Sequence, residues 1–294
     1  MMKRNIIVSG ASSQIALALK SITSGEIEDL KLIFLDKQEL NLTQRDSISA
    51  AIKKYKPLIF INSAAYTNVE KAELDILNAL EVNYIGIRNL SENLKKYGIP
   101  LIHISSDYVF DGKINRPYTE NDIVGPLNVY GASKLLSENV IKEVLDKYII
   151  LRTSWLISKG PKGFVSKISS KLLNTKTIEV IDDNFGGPTC IYDLIDILIL
   201  IVKSISNNQR FKWGIYHFSN YPKSSWFDIA VEIKKVLKNK YPRRDLAEIR
   251  PVSSNEYKSN LIRPYSTFLD SSKILNEFQI KHNDWRNLLD EYIN

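Results

Sequence analysis

An α/β fold, in which a parallel sheet is wound with helices on both faces and followed by a smaller, mainly helical C-terminal lobe, is predicted by three observations. The first is rhythm: up to Arg152, short runs rich in Ile and Val alternate with amphipathic stretches, the signature of βαβ units. The second is the opening stretch IIVSGASSQIALAL, Ile6 to Leu19, which passes from an apolar strand pattern through a small-residue turn into an apolar helical one. The third is the loss of this rhythm after Arg152, where Gly160-Pro161 and Gly186-Gly187-Pro188 mark loops.

Taken in order, strands are expected at Ile6–Ser9, Leu32–Leu35, Leu58–Ile61, Leu101–Ser105 and Ile149–Leu151, and helices at Ser13–Ser21, Gln44–Lys54, Val69–Tyr97 and Val129–Lys147. Further on, helices are expected at Asp193–Ile205, Ser224–Lys240 and Asp284–Tyr292, without regular partner strands. The division this implies is 1–155 for the sheet domain and 156–294 for the second lobe, with some segments of the latter returning to the former.

Composition narrows the class. The chain of 294 residues carries a formal net charge of +7, but its basic pairs (Lys53-Lys54, Lys95-Lys96, Lys234-Lys235, Arg243-Arg244) are short and scattered. That pattern suits a solvated surface or a phosphorylated small ligand rather than nucleic acid. The apolar run Leu194–Val202 contains Asp196 and falls short of the roughly 20 residues a membrane span requires. Only Ile6–Val8 follow Lys3-Arg4 before polar residues return, too little for a secretory leader. A single cysteine, Cys190, leaves no disulfide framework. A cytoplasmic location fits these features, with neither membrane nor nucleic acid as partner.

The turn Gly10-Ala11-Ser12-Ser13-Gln14-Ile15-Ala16 stands where a dinucleotide fingerprint would have three glycines, and keeps only the first. Ala16 is an accepted small replacement for the third. Ser13 is the departure: its Cβ narrows the approach of a pyrophosphate, while its hydroxyl offers a hydrogen bond beside a helix N-terminus. Asp36 ends the second strand, where an acid would bind the ribose 2′-hydroxyl of NAD; Lys37 beside it would suit the 2′-phosphate of NADP. A plain turn role for Asp36 stands beside both.

Tyr130 and Lys134, four apart on an expected helix, share a face. A cation near a phenol favours the phenolate, and such a tyrosine can exchange a proton with a substrate oxygen. With 15 tyrosines in the chain, about one or two such spacings arise by chance, and a surface tyrosine beside a lysine satisfies the pair equally. Ser105-Ser106-Asp107 sit just past an expected strand, at the edge where ligands bind in open α/β sheets. Turn and cap roles for them are the alternative.

The chain resembles the extended short-chain dehydrogenase/reductases and, more narrowly, the dTDP-4-dehydrorhamnose reductase family. The likeness rests on INSAAYTNVEKAE at 61–73, ISSDYVFDG at 104–112, PLNVYGASKLLSE at 126–138 and LRTSWL at 151–156. IDDNFGGPT at 181–189 and RPYSTFLD at 263–270 extend it in collinear order. The resemblance implies a Rossmann-type sheet, NADPH or NADH as cofactor, and a dTDP-linked 4-keto-6-deoxyhexose as substrate. It implies a catalytic set of Ser106, Tyr130 and Lys134, with serine where the family usually has threonine. Tyr130 would protonate the alkoxide; Lys134 would lower the Tyr130 pKa and hold the nicotinamide ribose; Ser106 would position the carbonyl.

Carried over in the same way, Gly10, Ser12, Ser13, Gln14, Ile15 and Asp36 would hold the cofactor, with Ala65, Tyr66 and Thr67 lining it. Tyr66 stands where histidine is frequent. Asp107 and Trp155 would contact the sugar nucleotide. Some members join subunits through magnesium on a glutamate of the first helix; Ala18 stands there, so no metal is expected, while the resemblance leaves a homodimer open as a partner arrangement. Trp213, Trp226 and Trp285 are expected to pack the second lobe, with Trp226 or Phe227 as alternative pocket residues. The implied activity is reduction of dTDP-4-dehydro-L-rhamnose to dTDP-L-rhamnose for surface polysaccharide. A reductase of another 4-keto-6-deoxy sugar nucleotide, and a non-catalytic regulatory subunit on the same fold, are the alternatives.

Overall fold

The structure, a computed structural model, describes residues 3–160, 163–256 and 261–293. Its strands are β1 Arg4–Ser9, β2 Glu26–Ile27, β3 Leu30–Leu35, β4 Ile59–Asn62, β5 Leu101–Ser106, β6 Tyr148–Thr153, β7 Leu156–Ile157, β8 Thr177–Ile181, β9 Phe185–Gly186, β10 Thr189–Cys190, β11 Gly214–Phe218, β12 Ser224–Ser225 and β13 Glu248–Val252. Its α-helices are α1 Gln14–Thr23, α2 Arg45–Tyr55, α3 Val69–Leu74, α4 Ile76–Leu80, α5 Gly86–Tyr97, α6 Val129–Val144, α7 Phe164–Asn174, α8 Ile191–Ser206, α9 Trp226–Lys240, α10 Ser272–Phe278 and α11 Trp285–Leu288.

One sheet of seven strands, in the order β11-β6-β5-β4-β1-β3-β2, carries the architecture. All neighbours are parallel except the short β2 edge, which folds back antiparallel on β3. From β1 the chain moves outward to β3, then crosses back past β1 to β4. The crevice at the carboxyl ends of β1 and β4 is therefore a topological switch point, where such sheets bind ligands.

Alternation along each strand sends residues to two apolar layers. Ile6 and Val8 of β1, with Ile61 and Ile102, join Ile15 and Leu19 of α1 and Leu194, Leu198 and Ile201 of α8. Ile7, Phe60, Leu101 and Ile150 face Ile48 and Ile52 of α2, Leu90 and Leu94 of α5 and Ile141 of α6. Both faces are thus covered, and each such Ile or Leu removed from water contributes roughly 1.5–3 kcal/mol.

Two differences from the expected elements have local causes. The stretch expected as one helix over Val69–Tyr97 is broken at Asp75, whose backbone leaves the helical region (φ −125, ψ 49) and whose carboxylate accepts from the Tyr66 hydroxyl and from Asn78. A π-helical turn, Glu81–Ile85, then leads into α5. After β6 the chain is less purely helical than its pattern suggests. β11 pairs parallel with β6 on the main sheet, β8 and β13 form a parallel pair, and α7 and α9 pack beside them. These strands are short and lie at edges, so they carry little periodicity to read.

Candidate active site

At the glycine turn, Gly10 has φ +75, and a Cβ on it would lie 2.8 Å from the Ala64 backbone. Only glycine serves both requirements, and the turn and the end of β4 press together across the switch point. Ser13 caps α1: its Oγ accepts from Ala16 N at 3.0 Å and lies 2.8 Å from Ser63 Oγ. The cap is the physical reason for serine here. Ser12 is exposed, Gln14 accepts from the Ser158 hydroxyl at 2.6 Å, and the Ile15 side chain is buried in the core. The N–H groups of the first helical turn have no acceptor inside the helix. A small-residue cradle under a helix N-terminus fits a pyrophosphate.

Asp36 follows the end of β3 and is exposed, its Oδ1 accepting from Gln38 N at 2.8 Å and Glu39 N at 3.0 Å. These two bonds shape its turn. Ala65, Tyr66 and Thr67 follow β4 at the same crevice; Asn83 accepts from Tyr66 N, and the Tyr66 hydroxyl donates to Asp75 at 3.0 Å.

Tyr130 and Lys134 lie on α6, which Asn128 caps by accepting from Gly131 N at 2.9 Å. A Cβ at position 131 would meet the Tyr108 carbonyl oxygen at 2.1 Å. Glycine there lets α6 seat directly on the 3-10 turn Asp107–Val109 and brings the Tyr130 phenol to Ser106. Tyr108 covers Tyr130 edge-on at 5.9 Å between ring centroids. Burial pushes the Tyr130 phenol up to about 12, against the lowering effect of the Ser106 hydroxyl.

The expectation that Lys134 draws the phenol down is not met in this arrangement. Lys134 is buried, and its Nζ donates to the Ile104 carbonyl at 2.7 Å and lies 3.0 Å from His103 Nε2. Burial lowers Lys134 to about 8, with Glu138 acting in the opposite sense. His103 is itself driven well below its ordinary value by burial and by Lys134.

Behind these groups lies a buried polar layer that the sequence reading missed. Ser105 Oγ donates to Glu138 at 2.6 Å, and Arg152 grips both oxygens of Glu138 at 2.9 and 2.6 Å. Arg152 also meets His217 Nε2 at 3.2 Å. The available signals were Glu138 four residues beyond Lys134 on one helix face, and His103 and Ser105 alternating on one strand face.

Asp107 is buried; its Oδ1 accepts from Ser106 and its Oδ2 from Thr267, far along the chain. Trp155, at φ +39, stacks on Trp226 at 3.8 Å, with Phe164 against the far ring, and its Nε1 is buried without a partner among the described residues. Trp226 and Phe164 join Thr67, Tyr108, Lys171 and Arg263 around a cleft of ≈ 1080 Å³. Trp226 is thus a pocket residue, whereas Trp285 is fully buried and Phe227 borders a separate surface hollow. Among the described residues no group of His, Cys, Asp or Glu is arranged to hold a metal ion, and no helix is long and apolar enough to cross a membrane.

A doubly wound parallel sheet, with a serine at the end of β5 and a Tyr-x-x-x-Lys helix seated against it, defines an extended short-chain dehydrogenase/reductase. Within that class the RmlD substrate binding domain matches residues 2–294, and the chain belongs to this family. It is 35% identical over 292 residues to the dTDP-4-dehydrorhamnose reductase of Aggregatibacter actinomycetemcomitans, covering 97% of this chain and 96% of that protein. Among solved structures, it is similar to a dTDP-4-dehydrorhamnose reductase from Clostridium acetobutylicum (29% identity, TM-score 0.88, 98% of each chain). It is also similar to the Bacillus anthracis dTDP-4-dehydrorhamnose reductase in complex with NADP (32% identity, TM-score 0.87, 99% of each chain).

Proposed function

We propose that the protein reduces the C4 keto group of a nucleotide-linked 6-deoxyhexose, converting dTDP-4-dehydro-L-rhamnose to dTDP-L-rhamnose for surface polysaccharide. The observation that carries the reading is the seating of Tyr130 beside Ser106, with Lys134 one turn further along α6, in a chain collinear with reductases of this name. NADPH or NADH, when bound, supplies the hydride.

The residues divide the remaining work. The glycine turn and the start of α1, from Gly10 through Ser12, Ser13, Gln14 and Ile15, receive the pyrophosphate through their backbone, and Asp36 takes the adenosine ribose. Ala65, Tyr66 and Thr67 line the crevice, while Lys134 holds the nicotinamide ribose. Ser106 orients the keto oxygen, and Asp107 and Trp155 bound the sugar. Tyr130 keeps its proton throughout the neutral range because burial holds it well above ordinary phenol values. That suits a reductase: an alkoxide is a stronger base than a phenolate, so the neutral phenol can donate.

In this reading 1–155 form the cofactor unit and 156–294 the substrate lobe, with 191–218 returning to the first. The protein works in the cytoplasm, as a homodimer whose mass light scattering would measure. The deciding experiment is NMR identification of the product after incubation with dTDP-4-dehydro-L-rhamnose and each reduced cofactor. One dTDP-L-rhamnose per cofactor oxidised is expected. No turnover with any of a panel of 4-keto-6-deoxy sugar nucleotides would sink the reading in favour of a regulatory subunit.

A further inference from the structure

Asp107 stands two hydrogen bonds behind Tyr130, with Ser106 between them. Ser106 Oγ donates to Asp107 Oδ1 at 3.0 Å, accepts from Tyr108 N at 3.2 Å, and faces the Tyr130 phenol. Thr267 Oγ1 donates to Asp107 Oδ2 at 2.5 Å, and the residue is only 2% exposed. A hydroxyl has one proton to give. While Asp107 is a carboxylate, the Ser106 proton is committed to it and turned away from the substrate. When Asp107 is a carboxylic acid, it can donate to Ser106 Oγ and free the Ser106 proton to point at the keto oxygen and, once Tyr130 has given up its own proton, at the phenolate.

Resting on the reductase reading above, we propose that Asp107 is the proton reservoir of the site and acts through Ser106. Tyr130 gives its proton to the alkoxide oxygen, which completes the alcohol and leaves a phenolate. Ser106 Oγ passes its proton to the phenolate oxygen as the Asp107 carboxyl proton moves to Ser106 Oγ. Only O–H bonds break and form; Asp107 is left as a carboxylate and regains a proton from water when product leaves. Asp107 is thus a positioning and relay group, since it does not touch the reacting carbon.

The electrostatics agree with this geometry. Burial raises Asp107 to about 7, against the lowering pull of the Thr267 and Ser106 hydroxyls. Among the described residues, the titratable groups Asp107 acts on are Tyr108 on the same turn and Tyr130 on α6, and Arg263 in turn acts on Tyr108. Below about pH 7 the reservoir is filled, and above it the reservoir empties.

Two measurements test the proposal. With saturating reduced cofactor and 4-keto sugar nucleotide, wild-type kcat should fall about tenfold per pH unit above about pH 7. Asp107→Asn keeps the shape and can donate an N–H to Ser106 but holds no labile proton. Its kcat should be lower by about tenfold or more at pH 6 and flat from pH 6 to 8. Retention of the wild-type limb in the variant would assign that limb to another group, such as Lys134, and overturn the proposal. Independently of turnover, the infrared spectrum of the cofactor-free wild type should show a carboxylic-acid carbonyl band at pH 6 that fades by pH 8 and is missing in Asp107→Asn. No such band at pH 6 would also overturn it. Wild-type protein inert towards every sugar nucleotide would instead count against the reductase reading, and the infrared result would still decide where the proton sits.

Discussion

Lys134 Nζ is held 2.7 Å from the Ile104 carbonyl oxygen and 3.0 Å from His103 Nε2, so the lysine one turn beyond Tyr130 on α6 is anchored to the strand beneath it. Burial brings Lys134 down to about 8. Below that pH it is an ammonium with a hydrogen to spare for a ribose hydroxyl; above it, a neutral amine with weaker donors. Cofactor affinity should therefore fall as pH rises through about 8. Fluorescence titration of NADPH binding between pH 6.5 and 9.5 checks this, with Lys134→Met expected to bind about tenfold more weakly and without the pH step.

Tyr130→Phe removes the proton donor while keeping the ring that Tyr108 covers edge-on. General acid catalysis contributes on the order of 10²- to 10⁴-fold, so kcat should fall by that factor. Cofactor dissociation constants should stay within about twofold. Activity within a few fold of wild type would remove Tyr130 from its proposed role.

Ser13 caps α1 through Ala16 N, so Ser13→Ala should cost about 1 kcal/mol of stability, whereas Ser13→Gly should cost only a few tenths. Calorimetry would register a drop of about 2 °C in Tm for the alanine variant. Ser13→Gly also removes the Cβ and the hydroxyl from the turn. Tighter cofactor binding in that variant would identify steric crowding as the dominant effect, and weaker binding would identify the hydroxyl as a phosphate ligand.

Glu138→Ala strips the partner from Arg152, whose side chain is 2% exposed and bonded to both Glu138 oxygens. An unpaired buried charge costs about 3–5 kcal/mol, so denaturant unfolding should show a midpoint well below wild type. Loss of less than about 1 kcal/mol would mean that water reaches Arg152 when its partner is gone.

Properties encoded over a few residues were readable in the chain. Short apolar runs such as Leu101–Ser105 became strands of a parallel sheet, and the four-residue spacing put Tyr130 and Lys134 on one helix. Gly10 marked the tight turn at the end of β1. The longest misreading, a single helix over Val69–Tyr97, failed because one side chain, Asp75, satisfies Tyr66 and Asn78 and so competes with the helical backbone.

What only the tertiary structure decided was which polar groups would be dried and by whom they would be met. Asp107 and Thr267, Arg152 and His217, and His103 and Lys134 come from separate segments, and no local pattern announces their contact. Their proton affinities follow from burial, a property of the closed fold rather than of any segment. The sequence by itself thus determined the sheet, the helix that carries Tyr130 and Lys134, and the glycine turn after β1. The closed fold decided that burial raises the Tyr130 phenol above its ordinary value and that the Asp107 carboxyl lies behind Ser106.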